Sequence, residues 1–180
     1  MDEYAIILIQ SYRNLFLDYL SLFFDYLFSS KVLLVFFLVL FFLFIFKKYK
    51  NSFPICFSLA SMALVVKLIK EIVKRPRPEF ILDLPITSHS LFSFPSGHTA
   101  AAFLIAVLFS KYHPKYKYIF YTIAVLTAFS RIYLGVHYLS DVFFGAVIGI
   151  LVAFFTLKYE KLIITFGEKI IKLKNTFSFL

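Results

Sequence analysis

His137 and Asp141 stand four positions apart. On a helix that spacing puts both side chains on one face. The carboxylate can then accept a hydrogen bond from one imidazole nitrogen and leave the other free to attack an electrophile. The pair ends the stretch SRIYLGVHYLSD, which begins at Ser130 and Arg131 and contains Gly135, a residue suited to a tight turn. An ordinary intrahelical His–Asp pair is the plain alternative, and two further constellations weigh against it.

The first of these is SFPSGHTA, from Ser93 to Ala100. Pro95, Ser96 and Gly97 suit the start of a helix, where unpaired backbone N–H groups attract anions. Gly97 lets the chain approach a bound oxyanion closely, Ser96 brings a hydroxyl, and His98 can give or take a proton. Taken alone, the block could be a mere helix cap. The second is KEIVKRPRP, from Lys70 to Pro78, where Lys70, Lys74, Arg75 and Arg77 gather at one helix end and Pro76 and Pro78 stop the helix near Lys74. Alone, it would read as an interfacial anchor.

His98, His137, Asp141 and His89 could ligate a metal. Lys70, Arg75, Arg77 and Arg131 beside them would instead repel a divalent cation and favour a multiply charged anion. Phosphate is the natural occupant, with no metal and no other cofactor expected. His89 and His113 receive no catalytic role.

These residues must be positioned by helices in a bilayer. The 180 residues are 61% hydrophobic and include 26 Phe, with mean hydropathy +0.86, more apolar surface than one soluble core of this length could hide. Five stretches have the length and apolarity of spans: Val32 to Phe46, Phe53 to Val73, Thr99 to Tyr112, Tyr118 to Leu134 and Tyr138 to Leu157. Tyr4 to Phe28 carries Arg13, Asp18 and Asp25, so it is either an amphipathic helix in the interface or a sixth span facing other helices. The sixth span is the expectation adopted. The fold class is therefore all-α: a six-helix polytopic bundle forming one domain over residues 1–157, followed by a basic amphipathic cytoplasmic tail over 158–180.

The net charge of +9 resides mostly in short stretches between apolar runs, which argues for topology and anionic lipid rather than nucleic acid. With alternating spans, the loop of Lys47, Lys48 and Lys50, the loop of Lys111, Lys115 and Lys117, and the basic tail share one side. The positive-inside rule makes that side cytoplasmic. The loops Lys74 to Pro95 and Gly135 to His137, which hold the reactive residues, then face outward. Cys56 lies in an apolar run and is expected to be packing. No cleavable leader is expected, because no basic n-region precedes the first apolar stretch.

With these three blocks the chain resembles the type-2 phosphatidic acid phosphatase family, whose signature is Lys-x6-Arg-Pro, then Pro-Ser-Gly-His, then Ser-Arg-x5-His-x3-Asp. Lys70, Arg77 and Pro78 fill the first block, Pro95, Ser96, Gly97 and His98 the second, and Ser130, Arg131, His137 and Asp141 the third. Arg75 lies between signature positions. The resemblance implies that His137 attacks phosphorus to form a phosphohistidine while Asp141 holds its tautomer. It implies that His98 protonates the departing lipid oxygen and then activates water. Lys70, Arg77 and Arg131, with the Ser96 hydroxyl and the Gly97 amide, would hold the phosphoryl oxygens, and Ser130 would support them.

The resemblance further implies a membrane lipid phosphate as substrate and bilayer lipids as surroundings. Undecaprenyl pyrophosphate, phosphatidylglycerol phosphate and lipid A 1-phosphate are the expected substrates of a broad-specificity enzyme at the periplasmic face of the inner membrane. A lipid phosphotransferase would use the same intermediate and pass phosphate to an alcohol. Vanadium-dependent haloperoxidases share the motifs but are soluble. A small membrane scaffold or channel is the non-enzymatic alternative, and it leaves the three blocks unexplained. Oligomeric state is open.

Overall fold

A computed structural model describes residues 2–47, 49, 51–78 and 91–177. Eight α-helices are described: α1 (Asp2–Gln10), α2 (Leu15–Leu27), α3 (Ser30–Lys47), α4 (Ser52–Val73), α5 (Gly97–Tyr112), α6 (Lys117–Tyr133), α7 (Leu139–Lys158) and α8 (Glu160–Phe177). The only β pairing among the described residues is an isolated bridge between Pro76 and Phe92. Most of the outer loop, including His89, lies outside the described residues, as do Lys48 and Lys50.

Helix ends follow the local chemistry. Lys74 caps α4 in the left-handed region at φ 49°, just ahead of Pro76, and its N–H reaches the Lys70 carbonyl at 2.9 Å. Gly135 adopts φ 71° in the turn between α6 and α7, the position where a glycine was expected. Ser96 caps α5.

The centre of the bundle is α5, packed between α6 and α7. Ala100, Ala101, Ala102 and Ala106 are buried along it, and small residues allow helices to approach closely where lipid supplies no hydrophobic drive. On α7 a Cβ at Gly149 would overlap the Ala100 carbonyl, and one at Gly145 the Ser96 carbonyl. This contact seats the start of α5 against the start of α7, where the Ser96 N–H donates to the Asp141 carbonyl at 3.0 Å. In α3, by contrast, large apolar side chains such as Leu34, Leu38 and Phe42 stay exposed, as a lipid-facing surface requires.

Three stretches, Leu15–Phe46, Ser52–Val73 and Leu139–Lys158, are long and apolar enough to cross a bilayer. The neighbouring helices α5 and α6 have 16 and 17 residues, about 25 Å each at 1.5 Å per residue.

Residues 4–28 depart from the expected sixth span. The Asn14 side chain accepts the Leu17 N–H at 3.0 Å, an N-cap that starts α2 afresh and breaks the segment in two. Asp2 meets Ser140 and Arg75, Gln10 donates to the Tyr133 carbonyl at 2.6 Å, and Asp25 meets Arg131 and His98. These contacts anchor the segment's charges at the end where α6 finishes and α7 begins, while Leu27 and Phe28 line a second cavity with Phe36, Ala106 and Phe120.

At the opposite end, α8 docks on the bundle. Ile163 is buried with Phe44 and Phe53, Gly167 leaves room for both rings, and Tyr112 donates to Glu160 at 2.7 Å.

Candidate active site

Four helix ends converge opposite α8. The C-terminus of α4 brings Lys70 and leads to Arg75 and Arg77, the N-terminus of α5 brings Gly97 and His98, the last turn of α6 brings Arg131, and the start of α7 brings Asp141. His137 lies in the turn before α7.

His137 is 1% exposed, and its two ring nitrogens have different partners. Nδ1 is 3.4 Å from Asp141 Oδ2, and Nε2 is 3.2 Å from Arg77 Nη1. A guanidinium has no acceptor, so Nε2 must present its lone pair to Arg77 while the Nδ1–H points to Asp141. Burial, then the cations Arg77, Arg131 and Lys70, hold this imidazole well below its ordinary pKa of 6.5. It is therefore neutral at physiological pH, the form a nitrogen nucleophile needs.

Asp141 is fully buried and fully engaged. Oδ2 also accepts the Tyr138 N–H at 3.0 Å, and Oδ1 accepts Arg75 Nη1 at 2.9 Å. Arg75, which falls between the signature positions, is thus the cation that balances the carboxylate. Its guanidinium lies 3.8 Å from the Tyr138 ring centroid, and it also pairs with Asp2 at 3.0 Å and with Ser140 at 2.7 Å. The Ser140 hydroxyl and the Arg75 cation in turn hold the Asp2 carboxyl below its ordinary pKa.

Lys70, Arg77, Gly97, His98 and His137 share one cavity of about 560 Å³. Lys70 Nζ donates to the carbonyls of Phe92 and Ser93 at 2.7 and 3.1 Å, which ties the returning outer loop to α4 and leaves one of its three donors. Arg77 is buried and also donates to the Val136 carbonyl at 2.7 Å. An added Cβ at Gly97 would meet nothing closer than Val66 at 3.7 Å among the described residues. Along α4 the cavity passes Glu71, Lys67, Val66, Ala63 and Met62, and Phe28, Ser30 and Leu33 border it.

Other expected residues stand behind the wall. Ser96 is fully buried, with Oγ accepting from Thr99 Oγ1 at 3.0 Å, and Ser130 donates to the Thr127 carbonyl of its own helix at 2.7 Å. Pro78 and Pro95 shape the two chain segments flanking the outer loop, and the bond before Pro95 is cis. Arg131 is buried and pairs with Asp25 of α2. The same carboxylate lies 3.4 Å from His98 Nε2. Asp25 was absent from the sequence-derived site. The signal that could have found it is an ionisable residue in an apolar helix.

Comparison with known proteins fits this geometry. Residues 51–163 match the PAP2 superfamily. The crystal structure of a transmembrane PAP2-type phosphatidylglycerolphosphate phosphatase from Bacillus subtilis superposes with TM-score 0.74 at 30% identity, covering 89% of this chain and 84% of that one. Aquifex aeolicus LpxE superposes with TM-score 0.67 at 38% identity, covering 86% and 93%. A lipid A 1-phosphatase from Rhizobium johnstonii is 32% identical over 52% of this chain and 41% of its own length. The chain spans about half the length of the curated relatives it matches. The family match encloses all three signature blocks, and the fold that carries them is shared: the chain is a member of the PAP2 superfamily.

Proposed function

We propose that the chain is an integral membrane lipid phosphatase that works through a phosphohistidine on His137. The observation that carries this reading is the orientation of His137: Nδ1 tied to Asp141, and a neutral Nε2 aimed beside Arg77 into a cavity that is cationic at one end and apolar at the other.

In the first step Nε2 attacks phosphorus and the bond to the lipid oxygen breaks in line. His98 gives that oxygen its proton, so the lipid leaves as an alcohol, or as a lipid monophosphate when the substrate is a pyrophosphate. Asp141 stabilises the imidazolium that forms. Lys70, Arg77 and Arg131, with the Gly97 amide and the Ser96 hydroxyl, neutralise the phosphoryl oxygens as charge develops. In the second step water attacks the phosphohistidine, its proton passes to His98, and inorganic phosphate departs. No step calls for a metal.

The apolar reach of the cavity along Met62, Ala63 and Val66 supports a lipid rather than a soluble ester. The residues from 62 to 70 extend about 12 Å along α4, enough to receive the first carbons of a chain from the bilayer. The names of the relatives support phosphatidylglycerol phosphate and lipid A 1-phosphate as substrates, with undecaprenyl pyrophosphate in the same range and broad specificity.

We read α3 to α7 as alternating crossings, with the site end outside an inner (cell) membrane and the basic α8 tail in the cytoplasm. Lys111, Lys115 and Lys117 then face inward. The test is phosphate release from a detergent-solubilised panel of these lipids without an added alcohol. Turnover of several supports the reading, strict turnover of one removes broad specificity, and release only on adding an acceptor would mark a phosphotransferase.

A further inference from the structure

Asp25 sits in α2, outside the three signature blocks and 73 residues before His98 in the sequence. Its Oδ1 nevertheless meets two members of the site at once, Arg131 Nη1 and, at 3.4 Å, His98 Nε2. Among the described residues no other carboxylate touches either of them. We propose that Asp25 is a positioning residue, which fixes the Arg131 guanidinium and the His98 ring in the orientations that phosphoryl transfer requires. This rests on the phosphatase reading above.

The donors left over carry the argument. The Arg131 side chain is 4% exposed, so it cannot be oriented by water. Asp25 engages Nη1, while Nε is buried without a hydrogen-bond partner among the described residues. A buried, unpaired donor is costly unless something accepts from it, and a phosphoryl oxygen can. Pinning one edge of the planar guanidinium fixes the other edge, since the five N–H groups form a rigid fork. The same logic holds for His98: a carboxylate at one ring nitrogen sets the ring's rotation and leaves the second nitrogen for the leaving oxygen. One carboxylate oxygen therefore couples the group that would hold the phosphoryl oxygens to the group that would move the proton. Because α2 also ends at Phe28 on the cavity border, the residue ties this helix to the chemistry.

The alternative is that Asp25 merely occupies the place of an absent anion and is displaced by it. The two predict opposite changes in anion affinity. The test uses the full chain in detergent, with a short-chain phosphatidic acid as substrate and orthovanadate as a competing anion. Asp25→Asn keeps the shape and removes the charge. The expected result is a kcat lower by roughly 10- to 100-fold, with weaker vanadate inhibition and little change in KM. Asp25→Glu is expected to regain part of the lost kcat. Wild-type kcat in Asp25→Asn, or vanadate inhibition tighter than wild type, would overturn the proposal. Should Asp25→Asn not fold, Asp25→Glu decides: a kcat equal to wild type overturns the positioning role and a reduced one supports it. Wild-type protein without any phosphatase activity would instead defeat the underlying phosphatase reading.

Discussion

Arg77 Nη1 lies 3.2 Å from His137 Nε2, the nitrogen turned away from Asp141. A cation and a prospective nucleophile thus share one small space, and a phosphoryl group entering it would take over the Arg77 N–H that Nε2 accepts, freeing the lone pair beside its electrostatic anchor. Since Arg77 also holds the Val136 carbonyl, its side chain is fixed before substrate arrives.

His137→Ala is expected to abolish turnover while leaving vanadate binding detectable. Arg131→Ala should lose both. Steady-state rates and direct vanadate binding by calorimetry, measured on the same preparations, separate the two roles.

Asp141→Asn should lower kcat by roughly 10²- to 10⁴-fold, because an amide no longer stabilises the imidazolium or enforces the Nδ1–H tautomer. Arg75→Ala acts on the same pair from the other side, leaving Asp141 Oδ1 without its cation. It should lower kcat less than Asp141→Asn does. A larger loss in Arg75→Ala would show that Arg75 acts on substrate directly.

Gly149→Ala places a methyl group against the Ala100 carbonyl and should push α5 away from α7. A cost of about 1–3 kcal/mol is expected from such overpacking, read as a lower unfolding temperature in detergent. Activity should fall with it, because the same helix contact seats His98 beside His137.

The pH dependence follows from burial of His137. Its folded-state pKa lies below the ordinary 6.5, so between the two values the unfolded chain binds more protons than the folded one. Stability from this group is complete above pH 6.5 and declines as pH falls below it. Unfolding temperatures between pH 7 and 5 should drop in the wild type and drop less in His137→Gln.

The helix ends were legible because Pro76, Pro78 and Gly135 act locally, whereas the His137–Asp141 pairing forms without the shared helix face expected of it: His137 lies in the turn before α7, and Asp141 meets it from the helix's first turn. Arg75 could be seen as a cation near the site, but its hold on Asp141 joins positions 66 residues apart and leaves no local trace. The contacts of Asp25 with Arg131 and His98 were hidden for the same reason, although its charge in an apolar helix was visible. Tyr4 to Phe28 reads as one apolar run, and mean apolarity does not show the break that the Asn14 cap introduces between α1 and α2. Ser130 carries the signature's residue type, yet its hydroxyl donates within its own helix, whereas Ser96 Oγ only accepts from Thr99 and keeps its own O–H to donate.

The most direct test of the central claim is rapid quenching of the enzyme with a lipid substrate radiolabelled in its phosphate. The account predicts an acid-labile, alkali-stable phosphoryl adduct on His137 that forms and decays at catalytically competent rates and is missing in His137→Ala. Steady turnover with no adduct on His137, or full activity in His137→Ala, would contradict it.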